Sequence, residues 1–346
     1  GEEETVINLT VKPGMKQGWF GNAYGGYGSK DRYEGNAMVN RFVNNDQITF
    51  MGGTNNTNNM GFSDMLKGIP SQVAAQASQA ARTGRGGGGR RGGFGAGSGI
   101  TSSGNAGLNF SKEFKPDKLT LGGNTRYSHS DNDARSKSDR QNILPGDSSS
   151  YDNSEAMSRT KSDNFGVDFR LEWKPDTMTQ LIFRPSFSLS HSMNDNFSDA
   201  TTLDNERDTV NTNKSSNYSE SNGYNLNASI DFSRKLNNKG RVFSATLSGG
   251  NSDSYSDGMN RSDIVYFNQT DALKNSIIDQ RSRYDNKGFN YRAYVSWVEP
   301  IGHNNFIQAT YSISQRKQEA LKNVYNQDAD GIYNVLDSAY NQSYRN

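Results

Sequence analysis

Apolar residues recur at every second position over several stretches of this chain. From 105 to 114, Ala106, Leu108, Phe110 and Phe114 fall on one side of an extended backbone, with Asn105, Gly107, Asn109 and Ser111 on the other. After Lys115-Pro116-Asp117, Leu119, Leu121 and Tyr127 alternate with Thr120, Asn124 and Arg126. Two such runs flanking a short polar break predict a β-hairpin. The unit returns with Phe165, Val167, Phe169, Leu171 and Trp173, a break at Lys174-Pro175-Asp176-Thr177, then Leu181, Phe183, Pro185, Phe187 and Leu189. It returns again with Tyr224, Leu226, Ala228, Ile230 and Phe232 before a break at 236–240, then Phe243, Ala245 and Leu247. A final pair places Phe289, Tyr291, Ala293, Val295 and Trp297 before Pro300-Ile301-Gly302, and Ile307, Ala309, Tyr311 and Ile313 after it.

Between these hairpins lie polar stretches at 130–162, 192–221 and 252–286, which predict outer strand segments together with long loops. Short connections therefore alternate with long ones. That asymmetry predicts an all-β fold, an antiparallel transmembrane β-barrel with short periplasmic turns and long extracellular loops. A soluble β-sandwich, the other all-β reading, has turn signals every 8–12 residues or so. Further strands are predicted at 6–11, 19–28, 34–43 and 47–54, giving about eleven barrel strands. Segment 71–82 is helix-favouring in composition, and 83–99 reads as a glycine-rich loop.

Composition narrows this picture. Mean hydropathy is −0.90 and no run of 18 apolar residues occurs, so the sequence holds no transmembrane helix. A barrel wall needs apolar side chains only at alternate positions and tolerates a polar average. An aromatic content of 11% argues against disorder. The absence of cysteine removes disulfides, thiolate metal sites and a cysteine nucleophile. A net charge of +1 gives no drive toward nucleic acid or anionic lipid. Gly1 and the triplet Glu2–Glu4 precede the first strand without a Met, and the polar end at 342–346 lacks an aromatic terminal strand, so the sequence reads as an excised part of a barrel.

Four groups of residues carry candidate chemistry. Asn326, Asp328, Asp330, Gly331, Asn334 and Asp337 stand at positions 1, 3, 5, 6, 9 and 12 of a calcium-loop spacing, which supplies hard oxygen ligands around a tight glycine turn. The plainer reading of the same residues is a polar turn. Arg126, Arg170 and Arg292 sit opposite the apolar side of their strands, as lumen residues or as part of a solvated face. Trp173 and Trp297 stand near strand ends, where interface anchors belong. The run Gly84–Gly95 has an RGG-like look, but three Arg and one Phe between strands read as a loop and not as an RNA-binding segment. His129, His191 and His303 are scattered and form no catalytic motif, so no enzymatic site is expected.

The run Thr5–Gly14, followed by Gly18-Trp19-Phe20-Gly21-Asn22 and Gly25-Gly26-Tyr27-Gly28, resembles the plug-to-barrel junction of TonB-dependent outer-membrane receptors. Asn55–Phe62 and Gly104–Phe110 resemble early barrel sequence in related outer-membrane proteins. The resemblance implies a last plug strand and junction at 1–14, and part of a barrel at 15–346. It implies ligand uptake across an outer membrane, with membrane lipid, an unknown ligand and the TonB complex as partners, the last through a TonB box and plug outside this sequence. Complete barrels of large transporters have about 22 strands, so about eleven would be half a wall. A non-transporting outer-membrane barrel and a soluble secreted β-protein are the competing expectations.

Overall fold

The computed structural model describes residues 17–58, 99–144, 148–267, 276–302 and 305–346. The expected strand at 6–11, the helix-favouring segment 71–82, nearly all of the glycine-rich run 83–99 and His303 lie outside the described residues. Those described form one antiparallel sheet of 13 strands, in sequence order, with no helix. Its long strands are β1 (Gln17–Gly28), β2 (Arg32–Val43), β3 (Asp46–Asn55), β4 (Ile100–Lys115), β5 (Leu119–Leu144), β6 (Ser148–Trp173), β7 (Thr179–Leu203), β8 (Thr209–Lys235), β9 (Val242–Tyr266), β10 (Ser276–Ile301) and β11 (Asn305–Gln327). Two four-residue strands, β12 (Tyr333–Leu336) and β13 (Gln342–Arg345), both pair with β11. These two raise the count above the expected eleven. The sheet does not close on itself: β1 pairs only with β2.

Each predicted hairpin is present, as β4–β5, β6–β7, β8–β9 and β10–β11. The expectation of long loops in the polar stretches is corrected. Residues 130–144 and 148–162 are strand, paired without a break from Ser130–Ser162 out to Leu144–Ser148. Likewise, β7 and β8 pair as far as Leu203–Thr209, and β9 and β10 as far as Ile264–Ser276. The strands β5 to β10 are 25 to 27 residues long. At about 3.3 Å per residue they run roughly 85 Å, far more than a bilayer requires.

One ladder is interrupted. Between Asp168–Ser186 and Leu171–Phe183 the β6–β7 register has a gap, where Pro185 offers no N–H. On its other side Pro185 still pairs with Ala228 of β8.

Being a single layer, the sheet has almost no core. Met38, Met51 and Val324 are the buried hydrophobic side chains among the described residues. Large apolar groups stay exposed instead: Leu247 is 54% exposed, Leu226 49% and Ile307 57%. A folded chain that leaves so much hydrocarbon uncovered needs an apolar medium or partner against that face.

Candidate functional site

Cross-strand partners in an antiparallel ladder point to the same face, so the register assigns each face its chemistry. Next to the tight turns, one face carries Leu121, Leu171, Phe183, Ile230, Leu247, Ala293 and Ile313 in a single row. Neighbouring rows add Phe169, Val167, Phe187 and Leu226, and the belt extends through Phe110 and Leu108 to Phe50 and Val39. On β6, β7 and β8 it covers 165–173, 181–189 and 224–232. Nine residues span about 30 Å of strand. Tilted by about 40°, they give a band near 23 Å high, close to the ~25 Å of outer-membrane barrels.

Aromatic side chains edge the belt. On the turn side, Phe232, Phe243 and Trp297 pack in series, with ring centroids 6.2 and 6.3 Å apart. Trp297 donates its indole N–H to Glu299 Oε2 (3.1 Å), and Arg241 clamps the same carboxylate through Nε (2.7 Å) and Nη2. On the far side, the Tyr127 hydroxyl donates to Asp163 Oδ1 (2.6 Å) and the Tyr224 hydroxyl to Asn251 Oδ1 (3.2 Å). The Trp297 and Tyr127 rings thus lie against hydrocarbon with their polar tips beyond it, whereas Tyr224 reaches back to Asn251, opposite Leu226 of the belt.

Behind the belt, the opposite face carries Arg126, Arg170 and Arg292 at the positions expected from alternation. Most of its charges are paired. Arg126 Nη1 lies 3.6 Å from Asp168 Oδ1, Arg170 Nη2 3.0 Å from Glu172, and Arg184 contacts Asp231. Gln180 donates to Glu172 (2.8 Å) and Thr246 to Asp231 (2.8 Å).

Beyond the belt the two faces exchange character. On the belt's own face, β5 continues with His129, Asp131, Asp133, Arg135, Lys137 and Asp139, opposite Asp163, Lys161, Arg159 and Glu155 of β6. Arg159 holds Asp131 through Nε (3.1 Å) and Nη2 (2.8 Å), and Arg281 holds Asp257 through Nε (2.8 Å) and Nη2 (2.5 Å). The Arg281 guanidinium keeps the Asp257 carboxyl below its ordinary 3.8. On the other face, β5 to β10 present Ser, Asn, Thr, Gly and Ala almost throughout, with Arg140 and Asp152 as the charges. Many of these side chains bond each other: Ser130 with Ser162 (2.9 Å), Thr160 to Asn194 (3.1 Å), Ser221 to Ser256 (2.8 Å). Sequence reasoning missed this division. Its signal was present as Asp-Asn-Asp-Ala-Arg-Ser-Lys-Ser-Asp at 131–139, a two-residue period of charge instead of hydropathy.

The calcium-spaced residues form a turn between β11 and β12. Asp328 Oδ1 accepts from the backbone N–H of Asp330 and Ile332, both at 2.9 Å, and Oδ2 accepts from Asn334. Asp337 Oδ2 accepts from Asn326 (3.0 Å) and Gln280 (3.1 Å). The Ile332 N–H is the main reason that Asp328 titrates below its ordinary value. Two other connections have the same construction. Asp204 accepts from Glu206 and Asp208, and Asn237 from Lys239 and Arg241, all at 2.9 to 3.0 Å. The left-handed residue is Arg207, Gly240 or Gly331 in turn, with φ of 66°, 100° and 78°. An uncharged Asn does the same work in one of the three. Turn-forming hydrogen bonds therefore account for the oxygen spacing, and no cluster of three or more His, Asp or Glu suited to a metal occurs among the described residues.

His129 Nδ1 lies 2.8 Å from Asp163 Oδ1, and His191 Nδ1 2.7 Å from Asn222 Oδ1, on different strands. With Tyr127, Asp163, Leu189 and Tyr224, His191 borders a groove of about 580 Å³ at the edge of the belt, which His129 does not line. Of the residues that carry the resemblance, Gly18–Asn22 and Gly25–Gly28 lie in β1, and Gly104–Phe110 in β4; Thr5–Gly14 and Asn59–Phe62 lie outside the described residues. Comparison with protein-family models and with curated proteins finds no match to this chain.

Proposed function

We propose that this chain forms wall of an outer-membrane β-barrel, and that the barrel belongs to a TonB-dependent receptor for ligand uptake. The apolar belt carries the membrane reading: a continuous band of about bilayer height, aromatic at both edges, on a sheet with no second layer to cover it. A soluble secreted protein would have to leave this band against water. The opposite face, polar and charged behind the belt, is then the wetted interior. The strand extensions stand above the bilayer on the side away from the tight turns, so the extracellular part of the molecule is a tall β-wall more than a set of loops. Uptake is supported by the likeness of residues 5–28 to a plug-to-barrel junction; the chain takes part by binding and passage, without a chemical step.

The test has two stages. Folded chain should require detergent or vesicles to stay dispersed and should shift its gel mobility on heating; a monodisperse, folded protein in plain buffer would overturn the membrane reading. Uptake by cells expressing the full-length protein should then collapse when TonB is deleted. Uptake independent of TonB would point to a barrel without energy coupling.

A further inference from the structure

We infer that the belt's upper edge holds a seat for a membrane lipid with an amine headgroup. The inference rests on the membrane reading above, and adds to it the kind of lipid and its place. The seat is the groove of about 580 Å³ on the belt's own face. Within it, Leu189 of β7 is flanked by Phe165 of β6 and Tyr224 of β8, each directly opposite it in the ladder. Two ladder spacings set these two aromatic residues about 10 Å apart. A cation above Leu189 is then within the ~6 Å over which a ring face attracts positive charge, on both sides at once. Tyr127 and Tyr255 extend the aromatic wall.

Charge separates this stretch of the belt's edge from the rest. The lining holds two carboxylates, Asp163 and Asp253, and neither Lys nor Arg. On the turn side of the belt, by contrast, Glu299 beside Trp297 is clamped by Arg241. Asp163 has the Tyr127 hydroxyl (2.6 Å) and His129 (2.8 Å) against it. Asp253 is half-buried and makes no hydrogen bond or ion pair among the described residues, although Lys287 stands opposite it in the β9–β10 ladder. Nor does a described Lys or Arg lie over Phe165 or Tyr224, as Arg283 does over Tyr325. Ring faces and carboxylates therefore favour the same ligand, a positive charge, and the chain supplies none. An anionic headgroup would instead meet two like charges. One row below, Val167, Phe187 and Leu226 continue the same face. An acyl chain joined to the ammonium lies along them in the belt, whereas a soluble amine would gain the head contacts alone.

The test uses the full-length protein in vesicles of equal parts phosphatidylethanolamine and phosphatidylglycerol with matched acyl chains. After extraction in a non-ionic detergent, the lipids kept by each molecule are counted by native mass spectrometry. The ethanolamine lipid should be kept about fivefold over the glycerol lipid, the size of effect expected from a cation between two rings and a carboxylate. Phe165→Leu and Tyr224→Leu, which stay apolar, and Asp253→Asn should each cut that preference about two- to threefold. Asp199→Asn, an equal change of charge higher on the same face, should leave it intact. Equal retention of the two lipids, preference for the glycerol lipid, or a preference unchanged in all three groove variants overturns the seat. A loss in Asp199→Asn as large as in Asp253→Asn overturns it too, by reducing it to overall charge. Choline chloride at the lipid's concentration should not compete; full competition would assign the groove to a soluble cation. Heat-modifiable mobility shows that each variant is folded, and the wild-type lipid ratio decides the headgroup class without them. Flotation with the vesicles judges the membrane reading separately: insertion without headgroup preference removes the seat alone, whereas failure to insert removes the reading beneath it.

Discussion

Within a single strand, β6, residues 165–173 and 149–164 obey the same two-residue period and use it for different ends. In the first segment, the period separates hydrocarbon (Phe165, Val167, Phe169, Leu171, Trp173) from paired charge (Asp168, Arg170, Glu172). In the second, it separates charge (Glu155, Arg159, Lys161, Asp163) from hydroxyl and amide (Ser158, Thr160, Ser162, Asn164). Charge thus moves from one face to the other where the belt ends. The contrast teaches that hydropathy and strand length are separate variables here: the sheet continues wherever alternation continues, whatever is alternating. On the membrane reading proposed above, a hydrocarbon slab accounts for the first half and water on both faces for the second.

Substitutions that carry one half's chemistry into the other should be unequal in effect. The largest change is expected for Ile230→Arg, which puts a cation among Phe183 and Leu247 in the belt. Unfolding from lipid vesicles in urea should show a loss of about 2–4 kcal/mol. An effect under about 0.5 kcal/mol would mean that this face meets water. Next, Asn237→Ala removes two backbone hydrogen bonds from the turn at the foot of the belt and should cost about 1 kcal/mol. Asp328→Ala should act in the same direction, Asp328→Asn should be nearly silent, and millimolar calcium should leave the melting of both wild type and variant unchanged. A calcium-dependent rise in the melting temperature, lost in Asp328→Asn, would restore the cation reading.

Smaller still is Asp257→Asn in the extension, where the carboxylate is partly exposed and screened; about 0.5–1 kcal/mol is expected. Its pH dependence has a definite sign. The Asp257 carboxyl titrates below 3.8 in the folded chain, so its stabilisation is complete above that value and lost as pH falls through the lowered one. Wild type and variant should differ by a constant amount from about pH 5 to 7 and converge in more acid solution. Growth of the difference on acidification would contradict the pairing with Arg281. Least of all, Asn217→Lys, on the exposed neutral face, should stay within about 0.5 kcal/mol.

How much of this was legible followed from which property alternates. The belt was readable because Leu226, Ala228 and Ile230 differ in hydropathy from Asn225, Asn227 and Ser229. In the polar stretches hydropathy does not mark where strand gives way to loop, because Asp131 and Asn132 are equally polar on such a scale, although only one is charged. Side-chain oxygens at alternate positions suit both a calcium loop and an Asx turn, and Asn237 shows which demand is met without charge.

The crossover of charge has a consequence for how such a wall is assembled. A one-residue slip between strands would turn the belt inward and the ion pairs outward at once. A slip of two keeps every face correct, and hydrocarbon alone would scarcely resist it. Between β9 and β10, however, the native register sets Asp253, Asp257 and Arg261 opposite Lys287, Arg283 and Asp279. Moving two residues one way would bring Asp257 against Asp285 and Arg261 against Arg281; moving the other way would bring Asp253 against Asp285 but leave Asp257 facing Arg281. In the first direction the upper part of this strand pair therefore proofreads the lower: its charges reject, by repulsion, a slip that the greasy half would accept.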